Sequence, residues 1–260
     1  MTFILITKDK WHFAVFITRI KERRTNMNGT LYGIGVGPGD PELITLKAYR
    51  TLQACRTFVF PSKTKEDCYA YQIAVQICPE IDEREQIFFD FPMKKDKEEL
   101  AHIHDAIYEK IRMRLSAGAD VAFLTIGDPT VYSTFGYIQK RAIADKRKVS
   151  ILSGIPSFCA ACARLGIALA EGKEQIHIIP GSYEIKESLK LPGTKVYMKA
   201  GKKLSELKQL LLESDMEKME VYAVSNCGLP GEKLFYSSES LTPEEGYLTL
   251  VIVKEKKEQK

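Results

Sequence analysis

A carboxylate between a glycine and a proline is the first feature of the chain that could do chemistry. Asp128 lies between Gly127 and Pro129, directly after the apolar run of residues 122–126. At the tip of a buried strand, this carboxylate could attract a cationic or polar ligand. It could instead cap a helix that begins near Pro129, because Asp is favoured at the N-cap and Pro in the first turn. Considered alone, the motif favours the cap.

A glycine-rich segment could hold a ligand against the backbone. It reads GIGVGPGD over residues 33–40 and lies between a strand pattern and a helix pattern. The dinucleotide fingerprint GxGxxG is not met, because Pro38 and Asp40 occupy the positions where its last glycine would stand. No GK[ST] sequence completes a phosphate-binding loop. A turn needs fewer glycines, so we expect this backbone to approach a ligand closely.

A third segment, SGIPS at residues 153–157, also joins a strand pattern to a helix pattern. Loops that follow parallel strands meet at one rim of an α/β sheet, which is where ligands bind in such folds. The sequence therefore predicts that the three loops lie together.

The bulk composition predicts an ordinary soluble globular protein. The chain has 260 residues, of which 45% are hydrophobic and 28% charged, and its formal net charge is +4. Lys and Arg alternate with Asp and Glu, so we predict no nucleic-acid partner. No apolar run approaches the roughly 20 residues that span a bilayer, so we predict no membrane partner and a cytoplasmic location.

The cysteines and histidines predict no metal site. Six cysteines in a chain of this size do not form a disulfide scaffold. Cys159 and Cys162 form a CxxC on an apolar helix face, where we expect them to pack in the core. His102 and His104 are two residues apart, so they point in different directions on a helix and cannot bind one metal ion together.

The first 28 residues have a different character from the rest. They are apolar but interrupted by Lys8 and Lys10, and they end in a basic cluster. We expect an extension ahead of the folded domain, and a packed extra strand is the alternative.

From residue 30 onward, strand patterns alternate with helix patterns, which predicts an α/β fold with mostly parallel sheets. Strand patterns cover residues 30–36, 57–60, 86–90, 120–125, 149–152, 176–179, 194–199, 220–224, 234–237 and 247–253. Helix patterns cover residues 41–55, 66–78, 96–117, 130–144, 157–165 and 204–212. We predict an N-terminal α/β domain at residues 29–145 and a C-terminal α/β domain with a mixed sheet at residues 146–260, with a cofactor cleft between them.

Together the loops resemble one protein family. The stretches GIGVGPGDPELITLKAYRTLQACRTFVFPSK, FLTIGDPTVYSTFGYIQKR and SGIPSFCAACARLGIALAEGKEQIHIIPG are similar to the tetrapyrrole methyltransferases of cobalamin and siroheme synthesis. The phrase GDPTVYSTF, with DFPM at residues 90–93, resembles the branch that methylates C20 of precorrin-2 or of its cobalt form, cobalt-factor II. The resemblance covers residues 31–253.

This resemblance implies two α/β domains, a homodimer and S-adenosyl-L-methionine held in a folded conformation between the domains. The residues that match the family's cofactor-binding positions are Pro38, Ile126, Gly127, Asp128, Val131, Pro156, Ser157, Met198, Cys227, Gly228 and, more weakly, Thr249. Two positions depart from the pattern. Pro156 stands where other members often carry Thr, and Ile126 stands where the siroheme-type members carry a second glycine.

The implied chemistry is methyl transfer, which depends mainly on positioning because a sulfonium methyl group is already activated. Asp128 could orient the cofactor and favour its positive charge. We name no base for the C20 proton, and Tyr132 is a possible helper. The substrate carries many carboxylates, for which the candidate cations are Lys63, Arg112, Arg114 and Lys199.

Three alternatives remain open at this point. The chain could methylate another tetrapyrrole carbon or a diphthamide-type protein substrate, it could be a nucleotide-binding oxidoreductase, or it could be a non-catalytic binding module. The failed GxGxxG fingerprint disfavours the oxidoreductase. A non-catalytic binding module would not need three such loops at one rim, so this alternative is disfavoured as well.

Overall fold

The computed structural model describes residues 28–91, 96–180, 184–200, 203–213, 219–242, 246 and 248–256. The expected extension at residues 1–28 therefore lies outside the described residues except for Asn28. The chain forms two compact units, and each combines a sheet with helices, so the predicted α/β class is confirmed. In the described part of the chain, no helix is long and apolar enough to cross a membrane.

The described residues of the first unit lie within 28–34, 47–125 and 132–153. Its strands are β1 (Leu31–Gly35), β2 (Thr57–Phe60), β3 (Glu85–Phe88), β4 (Val121–Thr125) and β5 (Val149–Leu152), and its helices are α1 (Leu46–Ala54), α2 (Tyr69–Ile77), α3 (Lys97–Ser116) and α4 (Phe135–Ala144). The sheet order is β3-β2-β4-β1-β5, and β2 pairs in parallel with β3 and β4, as β1 does with β5. A parallel sheet brings the carboxyl ends of its strands to one edge.

Helix α3 shows how local sequence sets an element's bounds. Asp96 caps its start, because the carboxylate accepts hydrogen bonds from the backbone N–H groups of Glu98 (2.9 Å) and Glu99 (3.2 Å). Gly118, at a φ of +85°, follows its end. Its apolar face packs in one cluster with Val121 and Phe123 of the buried strand β4. This packing supports the strand that leads into Asp128.

The described residues of the second unit lie within 35–46, 126–131 and 154–256. Its strands are β6 (Ile176–Pro180), β7 (Thr194–Met198), β8 (Met219–Ser225), β9 (Lys233–Phe235) and β10 (Thr249–Glu255), and its helices are α5 (Ser157–Leu165), α6 (Ile185–Ser188) and α7 (Leu204–Glu213). The sheet order is β6-β7-β10-β8-β9. Strands β6 and β7 are parallel and the other neighbours antiparallel, so the mixed sheet expected for this part of the chain is present.

The structure differs from the sequence prediction at the boundary near residue 146. Strand β5 pairs with β1, with Leu31 opposite Val149, and therefore belongs to the first sheet. A boundary at residue 146 would assign it to the second domain. Strand pairing across more than 100 residues leaves no local signal in the chain, so the pattern of elements alone did not reveal it.

Two helix starts also differ from the prediction. The helix expected over residues 41–55 is divided into a 3₁₀ turn, Pro41–Leu43, and helix α1, which begins at Leu46. The helix expected from residue 130 begins at Phe135 as α4. Ser133 accounts for the second difference, because its Oγ donates to Thr125 Oγ1 (3.1 Å) and accepts from the N–H of Phe135 (3.2 Å).

Candidate active site

Three loops that follow strands meet through glycine backbone. A Cβ atom built on Gly154 would overlap the carbonyl oxygen of Gly127, and one built on Gly35 would lie 2.5 Å from the same oxygen. The N–H of Gly127 donates to the carbonyl oxygen of Gly37 (2.7 Å). We call Gly35, Gly127 and Gly154 the glycine junction. Part of the glycine excess therefore serves contacts between loops, whereas the sequence suggested a ligand contact.

Asp128 fastens two of these loops to each other. It is buried, at 7% exposure. Its Oδ1 accepts hydrogen bonds from the N–H (2.8 Å) and the hydroxyl of Thr130, and its Oδ2 accepts one from the N–H of Gly154 (3.1 Å). The interpretation of Asp128 as a cap for a helix that begins near Pro129 is wrong, because α4 begins only at Phe135.

A fourth loop, residues 226–229 after β8, packs on the loop after β1. A Cβ atom on Gly39 would overlap the carbonyl oxygen of Cys227, and one on Gly228 would lie 2.5 Å from the backbone nitrogen of Asp40. Pro38 is buried beside these contacts. We call residues 36–40, 126–131, 154–156 and 226–229 the four site loops. All of the residues matched to cofactor-binding positions lie in the second unit.

Several of the predicted residues also share one apolar cluster. Cys227 is a buried member of it, and Val131 and Met198 pack against it while remaining partly exposed. Helix α5 contributes Phe158 to the same cluster. The structure therefore brings together residues from three distant segments that the sequence assigned to one site.

Pro156 and Ser157 lie at the start of α5. Pro156 occupies the N-cap position, and its carbonyl oxygen accepts from the N–H groups of Cys159 (3.1 Å) and Ala160 (3.3 Å). Ser157 is the first helical residue, and both residues are partly exposed. Both side chains are therefore available to a ligand at the 154–156 loop.

Several residues in and beside the site loops have positive φ angles. They include the glycines Gly37 (+79°), Gly127 (+71°) and Gly228 (+72°), although other glycines outside these loops share this conformation. Among non-glycine residues they include Tyr132 (+46°), Lys199 (+56°) and Asn226 (+52°), each shortly after a strand. Such a conformation costs a non-glycine residue of order 1 kcal/mol and is concentrated at functional sites.

Gly127 is buried, but its Cα faces open space on the side where a side chain would stand. A Cβ atom built there would meet no described atom within 4 Å, and its φ of +71° is one that glycine adopts readily. Ile126, which replaces the second glycine of related sequences, is partly exposed beside it. A ligand could thus contact the backbone of Gly127 directly.

Thr249 is used within the protein. Its exposure is 1%, and its hydroxyl donates to the carbonyl oxygen of Gly246 (2.8 Å) and lies 3.2 Å from the hydroxyl oxygen of Ser225. The contact with Ser225 joins β10 to β8. The hydroxyl of Thr249 is therefore used in hydrogen bonds within the protein.

Three of the four candidate cations for substrate carboxylates are held by carboxylates of the protein. Lys63 pairs with Asp90 (3.2 Å), Arg112 with Glu109 (2.6 Å), and Arg114 with Glu85 (2.7 Å). Lys199 follows Met198 directly and is exposed. Tyr132, the possible helper, is 44% exposed.

Glu232 and Arg164 were not predicted from the sequence. Glu232 accepts a hydrogen bond from the N–H of Gly228 (3.0 Å), and Arg164 on α5 pairs with the same carboxylate. The hydrogen bonds from Arg164 lower the pKa of Glu232, and burial raises the pKa of the Cys227 thiol to about 11. The two partners are 68 residues apart, and no local pattern links them.

Replacing Gly154 by Ala tests the glycine junction. The new methyl group would overlap the carbonyl oxygen of Gly127, so we expect the free energy of unfolding to fall by about 1–3 kcal/mol. Urea denaturation measures this loss. The control is Gly136→Ala in α4, where the methyl group meets no described atom within 4 Å and is expected to stabilise the helix by roughly 0.5–1 kcal/mol. Equal effects of the two substitutions would contradict the junction.

Comparisons with known proteins identify the family. The family model described as Tetrapyrrole (Corrin/Porphyrin) Methylases matches residues 30–241. A protein of Methanocaldococcus jannaschii named probable cobalt-precorrin-2 C(20)-methyltransferase is 38% identical over 182 residues, which are 68% of this chain and 76% of that protein. The cobalt-precorrin-2 C(20)-methyltransferase of Salmonella typhimurium is 29% identical over 80% of this chain and 87% of its own length.

Solved structures agree in fold. The uroporphyrin-III C-methyltransferase of Thermus thermophilus in complex with S-adenosylhomocysteine matches with a TM-score of 0.60 at 21% identity, over 87% of this chain and 92% of that one. The family model covers most of the chain, and its span includes all four site loops. The chain belongs to the tetrapyrrole (corrin/porphyrin) methylase family.

Proposed function

We propose that the chain transfers the methyl group of S-adenosyl-L-methionine to C20 of precorrin-2 or its cobalt form, in cobalamin biosynthesis. The observation that carries the proposal is the 38% identity to a relative named for this reaction, over 68% of the chain. The stretch GDPTVYSTF, which covers residues 127–135 and resembles the C20 branch, supports the same position of methylation.

The arrangement of the site loops fits the methyl donor. Gly127 leaves open space at its Cα, which suits close approach of the methionine and ribose portions to the backbone. Val131, Met198 and Cys227 offer an apolar surface, which suits a purine ring. We therefore assign donor binding to the predicted residues of these loops.

The chain's own contribution to the reaction is positioning. When bound, S-adenosyl-L-methionine supplies an activated methyl group, so the protein needs to align the two reactants rather than activate either one. Asp128 keeps the 126–131 loop and the 154–156 loop in register through the N–H of Gly154. Tyr132, directly after the first of these loops, is a candidate for contact with the substrate.

We favour the cobalt-bound substrate over the metal-free one. The relatives from Methanocaldococcus and Salmonella both carry cobalt-precorrin-2 in their names. A relative from Sinorhizobium, at 26% identity, is named for precorrin-2 without cobalt. Any cobalt would arrive with the substrate. A homodimer in the cytoplasm, as the family resemblance implies, is part of the proposal. Sedimentation velocity tests the dimeric state.

The direct test is an assay that offers cobalt-loaded and metal-free precorrin-2 separately, with donor carrying a ¹³C-labelled methyl group. We expect the label to appear at C20 by NMR, faster with the cobalt form. Label at another ring carbon would support a different methyltransferase of the family. Absence of transfer to either substrate by protein that binds S-adenosylhomocysteine would contradict the proposed reaction.

Asp128→Ala tests the assignment of the donor-binding loops. Without the carboxylate, the N–H of Gly154 loses its acceptor and the two loops lose their register. We expect the dissociation constant of S-adenosylhomocysteine to rise at least about tenfold, a change of about 1.4 kcal/mol, as measured by isothermal titration.

The matched control for this substitution is Asp120→Ala. Asp120 also accepts a hydrogen bond from a backbone N–H, that of Thr30 (2.6 Å), in the first unit. We expect a comparable fall in melting temperature without a change in S-adenosylhomocysteine affinity. If Asp128→Ala lowered only the melting temperature, as the control does, Asp128 would have a purely structural role.

A further inference from the structure

We infer that Glu232, held by Arg164, is a positioning residue that sets the affinity of the site for the methyl donor. The inference rests on the proposed function. It assigns a role to two residues that match none of the family's cofactor-binding positions, and neither is proposed to touch the donor.

Glu232 is the acceptor for the backbone of the 226–229 loop. Its Oε1 accepts the N–H of Gly228 at 3.0 Å, and its carboxylate also bonds the side chain of Cys227. The Glu232 side chain is only 15% exposed. Because a partly buried carboxylate needs compensating donors, its position and the position of the loop determine each other.

Arg164 fixes this carboxylate by a forked contact. Its Nε lies 3.1 Å from Oε1 and 3.0 Å from Oε2 of Glu232, and its Nη2 also donates to Oε2. The planar guanidinium holds both oxygens at once, which fixes the plane of the carboxylate as well as its charge. Arg164 lies in the last turn of α5, whose first residue is Ser157. One helix therefore connects the 154–156 loop to the 226–229 loop.

The backbone conformation of the 226–229 loop needs the stabilisation that Glu232 provides. Asn226 and Gly228 both have positive φ angles, +52° and +72°. Gly228 also lies against Asp40, so a shift of the loop would disturb the 36–40 loop as well. A charged acceptor at Gly228 thus stabilises a conformation that the chain would otherwise adopt less often, and preorganisation of this kind increases affinity.

The test compares Glu232→Gln and Arg164→Met with the wild type. We expect the dissociation constant of S-adenosylhomocysteine to rise about tenfold for each variant, and the KM for the methyl donor to rise similarly while kcat changes less than about twofold. The double variant should lose no more than either single variant, because the two residues act as one unit. Arg164→Lys, which keeps the charge but loses the fork, should recover part of the affinity.

The matched control is Glu109→Gln on α3. Glu109 pairs with Arg112 through a similar fork, with Arg112 Nε 2.8 Å from Oε2 and Nη2 2.6 Å from Oε1, but it lies in the first unit. We expect no change in affinity or KM for this variant. A shift equal to that of Glu232→Gln would overturn the inference, because the effect would then belong to any surface ion pair.

The remaining outcomes are also decisive. Wild-type affinity in both Glu232→Gln and Arg164→Met would overturn the inference and leave the proposed function intact. If Glu232→Gln fails to fold by circular dichroism, Arg164→Met decides, because the Arg164 side chain is 58% exposed and its loss leaves no cavity in the core. Failure of the wild-type chain to bind S-adenosylhomocysteine would overturn the proposed function, and this inference with it.

Discussion

The close approach of backbone at Gly35, Gly127 and Gly154 is the constraint on which the site depends. Side chains at Gly35 or Gly154 would keep the loops apart, because their Cβ atoms would reach the carbonyl oxygen of Gly127. Because glycine carries only a hydrogen atom in place of Cβ, three segments far apart in the chain are in direct contact. The carboxylate of Asp128 then needs only one bond, to the N–H of Gly154, to hold two of them together.

The same principle extends to the loop after β8. Gly39 and Gly228 allow the 36–40 and 226–229 loops to pack backbone against backbone. Polar side chains then stabilise the close backbone contact that the glycines permit. For the 226–229 loop, the stabilising acceptor is Glu232. Glycine permits close packing but also makes a loop flexible, so each such contact is accompanied by a charged group that limits the flexibility. The space at the Cα of Gly127 stays open, and it is there that we propose the ligand binds.

Much of this arrangement could be predicted from the sequence, because strand and helix periods are local. Patterns within short windows predicted the alternation of elements and the buried strand before Asp128. The meeting of the glycine loops followed from the rule that loops after parallel strands lie at one rim of the sheet. The family resemblance added a prediction of which residues of the loops bind the donor. The role of Asp128 could not be chosen correctly from its neighbours, because the start of α4 depends on hydrogen bonds of Ser133 with Thr125 and Phe135.

Specific pairings between distant residues could not be predicted from the sequence. The pairing of β5 with β1 and the bond between Arg164 and Glu232 link residues with no shared local pattern. The roles of individual glycines could not be predicted either. Gly154 allows the loops to pack closely, whereas Gly127 leaves open space at its Cα. Only the folded chain distinguishes these uses.

The most direct measurement is a crystal structure of the chain with bound S-adenosylhomocysteine. The account predicts ligand atoms in van der Waals contact, within about 4 Å, of the Gly127 backbone and of Met198 and Cys227. A ligand bound elsewhere, with the backbone of Gly127 left free, would contradict the claim that the glycine junction builds the donor site.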